Sequence, residues 1–146
     1  MSGVTPKNGW SSLVPELLVE DIDASLAFWR DILGFEIAYD RPEQFFAYLE
    51  RPEGAQIMLC QRSGKWETAA MERPFGRGVM FQIHVDDLDP VIDAVANAKW
   101  PVYLPLREVW RRTGDRESGQ REIFVLDPDG YLLMMNSDLG ERSFKT

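Results

Sequence analysis

The pentapeptide Val19-Glu20-Asp21-Ile22-Asp23 returns as Val85-Asp86-Asp87-Leu88-Asp89, and each copy sits between an alternating apolar run and an amphipathic run. The second parts of the two halves echo as well. Leu49, Pro52 and Gly54 precede Ala55-Gln56-Ile57-Met58, while Leu126, Pro128 and Gly130 precede Tyr131-Leu132-Leu133-Met134. Each half therefore reads as one β-α-β-β-β unit. Such a unit has one sheet face under its helix and one open, and two of them must bury the open faces against something. The expected fold class is α+β, with tandem βαβββ modules whose sheets curve around a shared cleft.

Residues 1–12 hold Gly3, Pro6, Gly9 and three serines and read as a flexible N-terminal arm. The first module spans 13–62. Leu13, Pro15, Leu17 and Val19 alternate with Val14, Glu16 and Leu18, the period of a strand. Asp21 is placed to cap a helix carrying Ile22, Leu26, Trp29 and Leu33, with Gly34 as its stop. Strands over 35–40 and 44–50 and a last one through Gln61 complete it. Residues 63–77 show no period, hold two glycines and a proline, and read as the connector. The second module spans 78–137. Val79, Phe81, Ile83 and Val85 form its first strand's apolar face, and Leu88, Val91, Ile92 and Val95 mark a helix that tolerates Pro90 in its first turn. Arg107–Gln120 reads as a polar loop around Trp110, and 138–146 as a C-terminal tail.

A chain of 146 residues and 16.8 kDa, 45% apolar and 27% charged, has the composition of a soluble globular protein. No apolar stretch reaches the ~20 residues that cross a bilayer, and the start lacks a basic, apolar signal segment. A single cysteine, Cys60, forms neither an intrachain disulfide nor a cysteine-rich zinc site, which fits a reducing, cytoplasmic location. A net charge of −8 and a pI near 4.7 argue against a nucleic-acid partner, because acids interrupt the arginines at 107, 111, 112 and 116. Acidity suits a cationic ligand, although many proteins are acidic only for solubility.

If the apolar faces pack under the helices, alternation turns Val14, Glu16 and Leu18, and Met80, Gln82 and His84, to the other face. The last strands send Gln56, Met58 and Cys60, and Leu132, Met134 and Asn136, the same way. Apolar walls with a few polar groups suit a small-molecule pocket. Parity alone leaves an interface between halves or chains equally open.

Val-Glu-Asp-Ile-Asp-Ala-Ser-Leu-Ala-Phe-Trp followed by Ile-Leu-Gly-Phe, and Arg121 through the Asp127-Pro128-Asp129-Gly130 turn, resemble the vicinal oxygen chelate superfamily. That superfamily includes glyoxalase I, extradiol dioxygenases and bleomycin resistance proteins, and the resemblance covers about residues 13–137. It implies paired βαβββ modules and, in the enzymes, one divalent metal held by His, Glu or Gln from the first and last strands of each module. At those positions this chain has Val14, Met58, Met80 and Met134. None offers an oxygen or an imidazole nitrogen, and thioethers favour softer ions. A displaced metal site would use Glu16 and His84, with Gln56, Gln82, Cys60 and Asn136 on the same face. His84, however, lies roughly 13 Å along the strand from Met80.

The nearest type by resemblance is the bleomycin resistance protein, through the Val-Pro-Glu-Leu-Leu-Val opening and the Gly119-Gln120-Arg121-Glu122 run. It implies a cofactor-free homodimer that sequesters a cationic, aromatic drug, with a cleft between chains and a swapped arm. Tyr131, in place of the usual Asn after the turn glycine, and a longer, more charged 107–120 segment depart from that pattern. The expected ligand-binding residues are Glu16, Phe46, Tyr48, Met58, Met80, Gln82, Trp110 and Met134. Trp66 is a further stacking candidate, Glu16 the anion for a cation. Adaptable methionines fit a tolerant binder, and they fit ordinary core packing too. Three functions are carried forward: a metal-free small-molecule binding protein, a metal-dependent lyase or dioxygenase with a displaced site, and a non-catalytic interaction module whose groove is filled by its own arm or another chain.

Overall fold

A computed structural model of the chain describes residues 5–144. The first four residues of the expected arm and the last two of the expected tail lie outside the described residues. The first half is β1 (Glu16–Val19), α1 (Ile22–Leu26) running on into a π-helical stretch (Ala27–Ile32), β2 (Glu36–Arg41), a 3-10 turn (Pro42–Gln44), β3 (Phe46–Glu50) and β4 (Gln56–Gln61). The second is β5 (Met80–His84), α2 (Asp89–Asn97), β6 (Val102–Thr113), β7 (Arg116–Leu126) and β8 (Leu132–Ser143). The sheet orders are β1-β4-β3-β2 and β5-β8-β7-β6, each with its first strand parallel to its last and the other pairs antiparallel. This is the βαβββ unit, twice. The chain separates into two compact units, one running through Arg77 and joined by Asp127–Tyr131, the other made of Gly78–Leu126 and the chain from Leu132 on. No described helix is long and apolar enough to cross a membrane.

Local chemistry accounts for the first helix. The Asp21 carboxylate accepts from the N–H groups of Asp23 (3.0 Å) and Ala24 (3.4 Å), satisfying donors that a helix start leaves unpaired. Phe28, Trp29, Ile32 and Leu33 are buried, each worth roughly 1.5–3 kcal/mol of transfer free energy. Gly34, at φ +77°, ends the helix where a Cβ would lie 2.6 Å from the Arg51 guanidinium. In the second unit Pro90 occupies the first turn of α2, whose Val91 and Val95 are buried.

Several elements differ from their sequence reading. Leu13 is 81% exposed and Val79 half-exposed, because the strands begin only at Glu16 and Met80 and leave both residues outside the ladder. The 107–120 segment is not a loop but the distal part of a β6–β7 hairpin that turns near Gly114. The ion pairs of Arg107 and Arg111 with Glu122 link its strands, so the ladder has no apolar face to betray it. Residues 138–143 continue β8 and are no tail. The described part of the arm is a tethered strap, since Lys7 N–H donates to Glu50 (3.0 Å) and Ser11 Oγ–H to the Gly54 carbonyl (3.1 Å).

Candidate functional site

In the first unit, register places Glu16 beside Met58, Met58 beside Tyr48, and Cys60 between Leu18 and Phe46. Phe46, Tyr48 and Ala38 form a buried cluster, against which Val14, Tyr39, Met58 and Cys60 pack. The structure thus brings Phe46, Tyr48 and Met58 together on one face, with Glu16 exposed at the edge strand. The Tyr48 hydroxyl donates to Gln56 Oε1 (2.5 Å); burial, and then the neighbouring Tyr39 and Glu50, push it above the ordinary phenol range. Gln56 also receives Ser11 N–H (3.0 Å) and donates to the Gly9 carbonyl (2.7 Å). The strap it holds sets Trp10 edge-on against Tyr48 (5.3 Å) and Tyr39 (6.0 Å). One end of this aromatic face is covered by the chain's own arm.

The other end opens into a cavity of about 650 Å³, walled by Glu16, Arg41, Phe45, Phe46, Cys60 and Trp66 among others. The Arg41 guanidinium stacks 3.9 Å over the Phe46 ring. Burial first, and then the charge of Glu16, push the Cys60 thiol up, so it is not activated as a nucleophile. Phe45 (φ +51°) and Trp66 (φ +68°) both adopt the left-handed backbone region, which costs roughly 1–2 kcal/mol for a residue with a Cβ. Both rings remain largely in water, 53% and 73% exposed. Nothing in the sequence announces Phe45, because a left-handed turn position is ordinarily marked by Gly or Asn.

In the second unit, Gln82, Met134 and Phe124 lie in one cross-strand row, and His84, Asn136, Glu122 and Arg107 in the next. Met80, Gln82 and His84 are exposed along the edge strand, while Met134 is buried. Glu122, named in the sequence only as part of a motif and not among the expected binding residues, is fully buried on this face. It receives Arg107 (2.9 Å), Arg111 (2.9 and 3.1 Å) and Gln120 (2.8 Å). Burial pushes its carboxyl up, but the hydrogen bonds from Arg111, Gln120 and Arg107 together outweigh that and hold it below the ordinary range. Its signal was the alternation Gln120, Glu122, Phe124, hidden by reading the segment as a loop. These arginine contacts also orient Trp110. Because Arg111 reaches Glu122, the adjacent Trp110 faces the opposite side of the sheet, packed on Gly119 under the Arg142 guanidinium (4.1 Å). The expectation that Trp110 joins Met80, Gln82 and Met134 is therefore corrected.

Val14 and Met58 are spent on the aromatic cluster, and the Met134 sulfur accepts the Gln120 (3.4 Å) and Asn136 (3.8 Å) amide N–H groups. His84 Nδ1 lies 3.2 Å from Asn136 Oδ1. Among the described residues no three His, Cys, Asp or Glu side chains come together. A divalent ion of the kind used by the superfamily's enzymes does not fit this donor set.

A probable lactoylglutathione lyase from Vibrio parahaemolyticus is 30% identical over 125 residues, spanning 80% of this chain and 83% of that protein. Among solved structures the chain resembles TioX from Micromonospora sp. ML1, at a TM-score of 0.64 and 21% identity over 89% of this chain and 100% of that one. It also resembles a lactoylglutathione lyase from Agrobacterium tumefaciens, at 0.54 and 20% over 87% and 93%. Likeness at such identity establishes the fold alone. Residues 13–135, nearly the whole chain, match one family, and this protein belongs to the glyoxalase/bleomycin resistance protein/dioxygenase superfamily.

Proposed function

We propose that the chain is a small-molecule binding member of the superfamily that works without a metal centre. The observation that carries this reading is the donor set: Val14, Met58, Met80 and Met134 stand where the enzymes place ligands, none offers an oxygen or an imidazole nitrogen, and Val14, Met58 and Met134 are already engaged in apolar packing or as a thioether acceptor. What remains in the first unit is a face floored by Phe46, Tyr48 and Met58, and in the second Phe124 and Met134 beside the polar network of Glu122; aromatic and thioether surface with polar groups at hand suits a tolerant small-molecule pocket. The cationic, bleomycin-type drug suggested by the sequence depends on Glu16. That carboxylate shares its cavity with Arg41, Arg62 and Lys65, so bleomycin enters as one probe among ligands of both charges. The homodimer implied by the resemblance and the cytoplasmic setting read from the single cysteine belong to the same reading, and sedimentation equilibrium checks the first.

A second reading is favoured by the 30% identical relative, a probable lactoylglutathione lyase. Protein incubated with nickel or zinc and assayed for lactoylglutathione lyase activity separates the two. Saturable binding of a small molecule with no metal-dependent turnover supports the binding protein; metal-dependent turnover lost in His84→Ala overturns it.

A further inference from the structure

We propose that the open cavity of the first unit is a binding site for a planar aromatic anion, with Phe45 and Trp66 as its ring-binding walls and Arg41 and Lys65 as its anion-binding side. The inference rests on the small-molecule reading and names its ligand class. Three independent observations meet at this cavity.

The first is backbone strain. Phe45 and Trp66 are the two aromatic residues with left-handed backbone among the described residues, and both line the same cavity. Strain of this kind persists where the surrounding structure enforces it and concentrates at ligand clamps. Glycine would occupy either position without cost, so each large ring is kept against the local preference of the chain. The second is exposure. Neither ring is used to fill the core, and two mostly exposed aromatics flanking one concavity leave apolar surface that a flat ligand would cover.

The third is charge. The cavity is lined by three cations and by Glu16 as its acid. Arg62 is already neutralised, reaching Glu20 (2.6 Å) and Glu67 (2.8 Å). Among the described residues no carboxylate lies within ion-pairing distance of Arg41 or Lys65, although the chain as a whole is strongly acidic. Arg41 is also held in place, its Nε–H donating to Gln44 (2.8 Å) and its plane lying on Phe46. A fixed guanidinium and a nearby ammonium fit a carboxylate or sulfonate better than a cation, and Glu16 orients the ligand by repelling its charged end.

The test uses two probes with the same ring and opposite charge, 2-naphthoate and 2-naphthylmethylammonium, titrated calorimetrically into the full chain. The expected result is saturable naphthoate binding that exceeds the ammonium probe, weakened about fivefold or more by Phe45→Gly and by Trp66→Gly. Thermal stability in those variants stays level or rises, because glycine relieves the positive φ. Lys65→Gln should weaken naphthoate alone. Absence of saturable naphthoate binding, equal or tighter binding of the ammonium, or unchanged affinity in both glycine variants overturns the proposal. A loss of thermal stability in the glycine variants that matches the loss of binding also overturns it, since the rings would then be structural. Failure of the metal-free reading would show separately, as metal-dependent turnover with naphthoate binding intact.

Discussion

The indole N–H of Trp29 donates to the buried carboxylate of Asp127 at 3.3 Å, across most of the chain's length. The other oxygen of Asp127 accepts the backbone N–H groups of Asp129 and Tyr131, both at 2.9 Å. One side chain thereby shapes the Asp-Pro-Asp-Gly turn and docks it to the first helix. Burial pushes Asp127 up to about 6, against the pull of the Tyr131 and Asp129 N–H groups. Its folded pKa lies above its unfolded one, so its contribution to stability is complete below the unfolded value of 3.8 and is lost as pH rises through about 6. A gap of about two units is worth on the order of 2–3 kcal/mol. Urea unfolding between pH 4 and 7 should show this slope in the native protein. Asp127→Asn should abolish it and, by setting an amide N–H against a donor, cost about 1–3 kcal/mol at pH 4.

Gln56 holds the strap and the Tyr48 hydroxyl at once. Gln56→Ala should release residues 7–11, leave a buried phenol O–H without its acceptor, and lower stability by about 1–3 kcal/mol. Hydrogen exchange should then rise at Lys7 and Ser11, whose N–H groups are bonded in the native protein, well before global unfolding.

Glu122→Gln leaves Arg107 and Arg111 facing a neutral amide. Both guanidinium groups are about half exposed, so water takes up part of the lost interaction and the cost should be about 2 kcal/mol, below that of a fully buried pair. A double-mutant cycle with Arg111→Gln should give a coupling of about 1 kcal/mol or more. The Glu122 carboxyl is held below its unfolded value, so its stabilisation is present above the unfolded pKa and is lost as pH falls through the folded one. The variant should be flatter than the native protein in that acidic window.

Trp110→Ala should lower stability through the packing lost on Gly119 and Arg142, and should leave small-molecule affinity within about twofold. Thermal unfolding of the variant checks the first and calorimetric titration the second. A large loss of affinity with unchanged stability would place Trp110 in the binding face after all.

The repeat, the two helices and the succession of elements along each half were legible because they depend on local devices: Asp21 as cap, Gly34 as stop, and the apolar strand residues Leu17, Val19, Ile83 and Val85. Met58 was placed by period-two parity, which is strict within a strand, and Phe46 and Tyr48, named only as stacking candidates, pack beside it. The 107–120 hairpin was missed because its side chains pair by charge across strands, so neither face is apolar. Trp110 failed with it, since a loop residue has no parity to fix its side. Phe45 was invisible, because a left-handed aromatic violates the local preference from which sequence is read.

On the proposed reading, Val14, Met58, Met80 and Met134 hold no divalent ion. Purified protein should be loaded with excess zinc, manganese, iron(II) and nickel, freed of unbound ion, and measured by elemental analysis. No metal should be retained. About one tightly held divalent ion per chain would contradict it and make Glu16 and His84 the first ligands to mutate.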